Sequence, residues 1–176
     1  MQRRTASITV VFVFTILAAA YSPETTDART ALRAYPAQAR GAAPTAAGNA
    51  CSLLKKEDAE AALGGTVTGP KSTGPLPGGP GITASSCEYT GSGLQVVHLN
   101  LMQLPAEQAT IYKGLCAQKG HEGLTGLGEV ACWYNDKHEE LQVLKGTTFF
   151  SIELRGKANP TEPIKAVAKK VFDQVR

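Results

Sequence analysis

A hydrolase needs a nucleophile beside a base, and this chain offers few of either. The serines beyond residue 48 are Ser52, Ser72, Ser85, Ser86, Ser92 and Ser151, and none stands in a G-x-S-x-G elbow. His98 and Ser151 can reach a common surface by strand alternation, but chance proximity explains that pairing more simply than catalysis. Asp136-Lys137-His138-Glu139-Glu140 holds carboxylates and an imidazole, all metal-ligand types. Lys137 interrupts the cluster and no second ligand group accompanies it, so a polar hairpin turn is expected. His121-Glu122 reads as loop. GLTGLG, residues 123–128, precedes a strand pattern and not the helix that a phosphate-cradling loop requires. No catalytic residue, cofactor or metal site is therefore expected.

Cys51, Cys87, Cys116 and Cys132 are separated by gaps of 36, 29 and 16 residues. No C-x2-C pair exists to hold zinc. An even cysteine count in an exported chain reads as disulfides, and four cysteines allow three connectivities. The sequential pairing, Cys51–Cys87 and Cys116–Cys132, is favoured, because each bridge then joins one end of an expected helix to a nearby strand. By loop-closure entropy each bridge stabilises the fold by about 3–4 kcal/mol.

One surface remains as a candidate site. In LQVVHLNLMQL, residues 94–104, Val97, Leu99 and Leu101 share one face while His98 and Asn100 share the other. In TTFFSIELR, Phe150, Ile152 and Leu154 oppose Phe149, Ser151 and Glu153. The expected phases turn His98, Asn100, Trp133, Phe149 and Ser151 away from the aliphatic face. Such a face can bind a small apolar ligand or an envelope protein. It can equally form a second core layer beneath a helix at 106–118.

The elements that position these residues follow from pattern. Helices are expected at 55–63, with Glu57, Asp58 and Glu60 in the first turns and Gly64 as a stop, and at 106–118 after Pro105. A third follows Pro160, where Ile164, Val167, Ala168, Val171, Phe172 and Val175 keep the helical spacing. Strands are expected at 66–69, 86–90, 94–104, 128–134, 139–145 and 147–155. Residues 70–84, with four prolines and four glycines, read as an irregular loop. The sum is an α+β domain, a disulfide-stapled antiparallel sheet of five or six strands with about three packed helices.

Length, at 176 residues, fits one such domain with appendages. Residues 1–20, MQRRTASITVVFVFTILAAA, read as a signal peptide: Arg3 and Arg4, an apolar run, then Ala18-Ala19-Ala20 for cleavage. The apolar run of about 13 residues is short for a membrane span, so any membrane contact is expected only through an uncleaved signal. Residues 21–48 are rich in Ala, Pro, Gly and Thr and read as a disordered tether or a plain leader, with the folded domain at 49–176. The chain's net charge is +3. Arg3, Arg4, Arg29, Arg33 and Arg40, with Glu24 and Asp27, lie ahead of the domain, which keeps 13 basic and 13 acidic residues. No basic patch is implied, and no nucleic-acid partner is expected.

CSLLKKEDAEAALG, SCEYTGSGLQVVHL, LTGLGEVACWY and LQVLKGTTFFSIEL, followed by the closing amphipathic helix, resemble a group of small exported bacterial domains and lipoproteins of unknown function. The resemblance covers nearly all of residues 50–175 and implies an exported location and this fold, with no activity. Two departures are Lys55, where the group often has Thr, and the lack of a lipid-acceptor cysteine after the signal. The expected function is that of a secreted or periplasmic, non-enzymatic domain that binds a small ligand or a protein at the cell envelope. The alternatives are a hydrolase with an unrecognised site and an inhibitor or interaction module using loop 70–84.

Overall fold

A computed structural model describes residues 48–118 and 121–175. The signal reading over 1–20 and all but the last residue of the tether reading over 21–48 lie outside the described residues. The domain opens with α1 (Ala50–Leu53) and α2 (Lys56–Leu63). Asn49 caps α1, its side-chain oxygen accepting from the Cys51 amide at 2.9 Å. Gly64 ends α2 in the left-handed region at φ 80°, which glycine adopts without a Cβ penalty.

Seven strands follow: β1 (Thr68–Gly79), β2 (Ile82–Thr90), β3 (Val96–Gln103), β4 (Glu122–Gly123), β5 (Val130–Trp133), β6 (Glu140–Lys145) and β7 (Thr148–Arg155). Helix α3 (Ala106–Lys113) lies between β3 and β4, and α4 (Thr161–Gln174) closes the domain. All pairings are antiparallel, in the order β1-β2-β3-β7-β6-β5-β4. The architecture is α+β with both disulfides in place, Cys51–Cys87 and Cys116–Cys132, as the sequential pairing anticipates. Disulfides of this kind are typical of exported proteins.

Three expectations are corrected. The sheet has seven strands and the domain four helices, where five or six strands and about three helices were anticipated. The added strand, β4, is a two-residue ladder against Cys132 and Trp133, too short for any periodicity to betray it. The added helix, α1, is a single four-residue turn. Residues 70–84 are also no irregular loop: they form most of the β1–β2 hairpin. The prolines are tolerated because β1 is an edge strand, with register shifts between Thr68 and Lys71 and between Thr73 and Leu76, around Pro70 and Pro75. Missing amides and bulges also blunt that edge against pairing with another chain.

The main core lies on one face of the sheet, under α1, α2 and α4. Val97, Leu99, Phe150, Ile152, Leu154 and Leu141 meet Leu54, Ile164, Ala168 and Val171 there, all buried. Each such aliphatic or aromatic side chain contributes about 1.5–3 kcal/mol on burial. The α4 stripe follows the expected spacing, with Ile164, Val167, Ala168 and Val171 inward. Gly128 permits the turn into β5, since a Cβ there would stand 2.6 Å from the Leu144 carbonyl oxygen at φ 77°.

Candidate ligand-binding face

The second face of the sheet is laid out in rungs that run across the strands. In an antiparallel sheet, residues directly opposite one another share a face. One rung is apolar: Ala84, Met102, Phe149, Leu144 and Val130. The next is polar: Ser86, Asn100, Ser151, Gln142 and then Cys132. The third is charged: Lys71, Glu88, His98, Glu153 and Glu140.

Helix α3 covers only the apolar rung. Phe149 is buried there with Leu104, Ala109 and Leu144, and Tyr112 of α3 tilts against its ring at 4.8 Å between centroids. Phe149 is thus on the expected face but belongs to a second small core. Lys113, at the end of α3, bonds Glu129 at 2.8 Å, and Glu129 also accepts from the Gly146 amide at 2.9 Å. The Lys113 hydrogen bond, with help from the Gly146 amide and the lysine charge, holds the Glu129 carboxyl below its ordinary range. This clasp fixes α3 to the β6–β7 turn.

His98, Asn100 and Ser151 come together on the uncovered polar rungs, as the strand phases anticipate. Asn100 Nδ2 lies 3.5 Å from His98 Nδ1, and that nitrogen lies 4.0 Å from Glu153 Oε2. Ser151 stands opposite Asn100 on one side and Gln142 on the other, only 4% exposed. Among the described residues its hydroxyl meets no hydrogen-bond partner. Arg155 bridges Glu153 at 3.2 Å and reaches Glu88 at 3.9 Å.

Trp133 does not belong to this face, which corrects its expected placement. It pairs with Leu141, in line with Ile152 and Leu99, and is 2% exposed in the main core. Cys132 takes the second face instead. The segment Val-Ala-Cys-Trp is apolar in both phases, so alternation alone did not choose. His138 stacks on the indole at 4.6 Å and 18°, closing Trp133 off from the loop side. The Asp136–Glu140 segment carries the β5–β6 turn, where Asn135 Oδ1 accepts from the Lys137 amide at 3.1 Å. His138 Nε2 lies 3.0 Å from Glu122 Oε2 there. Among the described residues no group of three or more His, Cys, Asp or Glu side chains is placed to hold a metal ion.

Sequence reasoning passed over Gln142 and Glu88 and took Glu140 only as part of a polar turn. Their signal was present: Leu141 and Val143 alternate with Glu140 and Gln142, which places the polar pair on the second face. Gln142 Nε2 donates to Glu140 Oε1 at 3.2 Å, and its Oε1 is buried without a partner. Beside Gln142 a shallow dimple of about 10 Å³, room for about one water, opens between α3 and the sheet. No protein-family model, curated protein or solved structure matches the chain.

Proposed function

We propose that this is an exported, non-enzymatic binding domain of the cell envelope, and that it engages a small ligand or a protein through the polar rungs of the second sheet face. The observation that carries the reading is the polar rung Ser86, Asn100, Ser151 and Gln142, which runs side by side across four adjacent strands with no apolar side chain between them. These hydroxyl and amide groups present a ligand with donors and acceptors along one line of the sheet. His98 and Glu153 face one another on the next rung, from the same two central strands that carry Asn100 and Ser151. The same placement disfavours hydrolysis. Ser151 makes no hydrogen bond to His98, and β7 is paired on both sides, so its amides are committed to the ladders and none is free to form an oxyanion hole. Export is supported by the two disulfides and by the resemblance to small exported domains.

The test is an NMR titration of the labelled protein with envelope lipids, glycans and peptides. Shifts should concentrate at His98, Asn100, Ser151 and Glu153 and disappear in an Asn100→Ala, Ser151→Ala variant. Binding that maps elsewhere, or that survives both substitutions, overturns the reading.

A further inference from the structure

We propose, independently of the binding-face reading, that Cys116–Cys132 is a thiol–disulfide exchange site: an external dithiol attacks Cys116, and His121 receives the departing Cys132 thiolate. The two bridges differ in what surrounds them. Cys87 lies in the main core and Cys51 packs against it. Neither Cys116 nor Cys132 belongs to a buried apolar cluster among the described residues. Cys116 sits in a single 3-10 turn, Leu115–Ala117, and is partly exposed, with Gly114, Ala117 and Gln118 exposed around it. Cys132, on β5, is 0% exposed. His121 Nδ1 stands 3.9 Å from the Cys132 sulfur, the only imidazole nitrogen at such a distance from a cysteine sulfur among the described residues.

Local structure holds the imidazole there. The short β4 ladder pairs Glu122 with Trp133 and Gly123 with Cys132, which brings His121 alongside β5. The His121 amide donates to the Gln118 carbonyl at 3.2 Å, and its ring tilts against Tyr134 at 5.3 Å between centroids. Glu122, the adjacent acid, is paired with His138 at 3.0 Å instead.

The asymmetry sets the direction of exchange. An attacking thiolate needs a reachable sulfur, and the other sulfur leaves faster the better its thiolate is stabilised. Exposure selects Cys116 for attack, and His121 selects Cys132 to leave. The reductant's thiolate forms an S–S bond to Cys116. The Cys116–Cys132 bond breaks, its electron pair goes to Cys132, and that thiolate accepts from His121 Nδ1–H. The reductant's second thiolate then displaces Cys116 and closes the reductant's own disulfide. The dithiol loses two electrons and the bridge gains them. The dithiol's two protons pass through solvent to Cys116 and Cys132. Opening frees the turn after α3 from β5 and leaves a thiol at Cys132, beside Gln142 on the polar rung.

The experiment is partial reduction of the full chain with dithiothreitol, quenched by alkylation and read by peptide mass spectrometry. Cys116 and Cys132 should become alkylated about tenfold faster than Cys51 and Cys87. With 2-mercaptoethanol, a monothiol that stops at the first step, the mixed disulfide should map to Cys116. His121→Phe keeps a ring against Tyr134 and removes the donor. It should slow the opening of this bridge by about fivefold and leave Cys51–Cys87 unchanged. His121→Gln keeps an N–H donor and should recover part of the rate. A substitution that merely loosened the loop would speed the opening. Cys51–Cys87 opening first, or at the same rate, overturns the proposal. So does a mixed disulfide at Cys132, or an unchanged or faster rate in His121→Phe. The order of opening and the site of the mixed disulfide are read on the unaltered chain, so they decide whether or not a variant folds.

Discussion

The ammonium of Lys145 sits 4.3 Å from the centre of the Phe172 ring and donates to the Phe172 carbonyl at 3.0 Å. It also donates to the Val175 carbonyl at 2.6 Å. One lysine from β6 thus answers the unpaired carbonyls at the end of α4 and its dipole, and ties the helix to the sheet. Lys145→Met keeps the stem and removes the donor. It should cost about 1–3 kcal/mol in urea unfolding, with Lys145→Arg recovering part of the loss. A change below measurement error would show that the contact is only incidental.

Ser151 should separate stability from binding. Its hydroxyl has no partner to lose, so Ser151→Ala should change the unfolding free energy by less than about 0.5 kcal/mol. Ligand affinity at the face should fall. A loss of stability above about 1 kcal/mol would mean that the hydroxyl is bonded in the folded domain.

Alkali should weaken the fold through Tyr89. Burial first, then the nearby charges of Glu57 and Asp58, raise the pKa of its phenol. A raised folded value means the stabilisation is complete below the unfolded value of about 10 and is lost as pH climbs through the folded one. Stability measured from about pH 9 to 11 should therefore decline, and Tyr89→Phe should flatten that decline. An unchanged slope in the variant would assign the effect to other groups.

Acid should act on the α3 clasp. The lowered pKa of Glu129 means its contribution is present above the unfolded carboxylate value and is lost as pH falls through the folded one. The protection factors of α3 amides, taken relative to the intrinsic exchange rate at each pH, should fall on acidification, and Glu129→Gln should show the lower protection already at neutral pH. Equal rates in both proteins at neutral pH would detach Glu129 from the holding of α3.

The bridges give the simplest check. Alkylation followed by mass spectrometry should find no free thiol, since all four cysteines are paired. Replacing Cys116 and Cys132 by serine should cost about 3 kcal/mol. It should also disturb the dimple beside α3, whose wall includes Cys116. Four reactive thiols would remove the staple from the account of stability.

Much of the fold was legible because the information was local and repeated. The α4 stripe recurs over 14 residues, and β3 and β7 alternate over eight residues each, so both their existence and their phase could be read. Those phases alone place His98, Asn100 and Ser151 on one face. The β1–β2 hairpin was hidden, because prolines and glycines argue against a strand anywhere except at a bulged edge, and edge position is not a local property.

The sequence by itself determined the helix and strand periods, the balanced charge of the domain and the strand phases wherever polar and apolar residues alternate strictly. Only the tertiary structure decided the fate of Trp133 and Gln142. Val130-Ala131-Cys132-Trp133 has no polar residue to mark an outer face, so pairing with β6 chose which side received the indole. The helix-covered side took it, because that side buries the larger apolar area. Gln142 became a candidate only when α3 stopped at the apolar rung and left one buried oxygen unanswered at the edge of the dimple. An unpaired acceptor is defined by what surrounds it in space, and chain order does not carry that information.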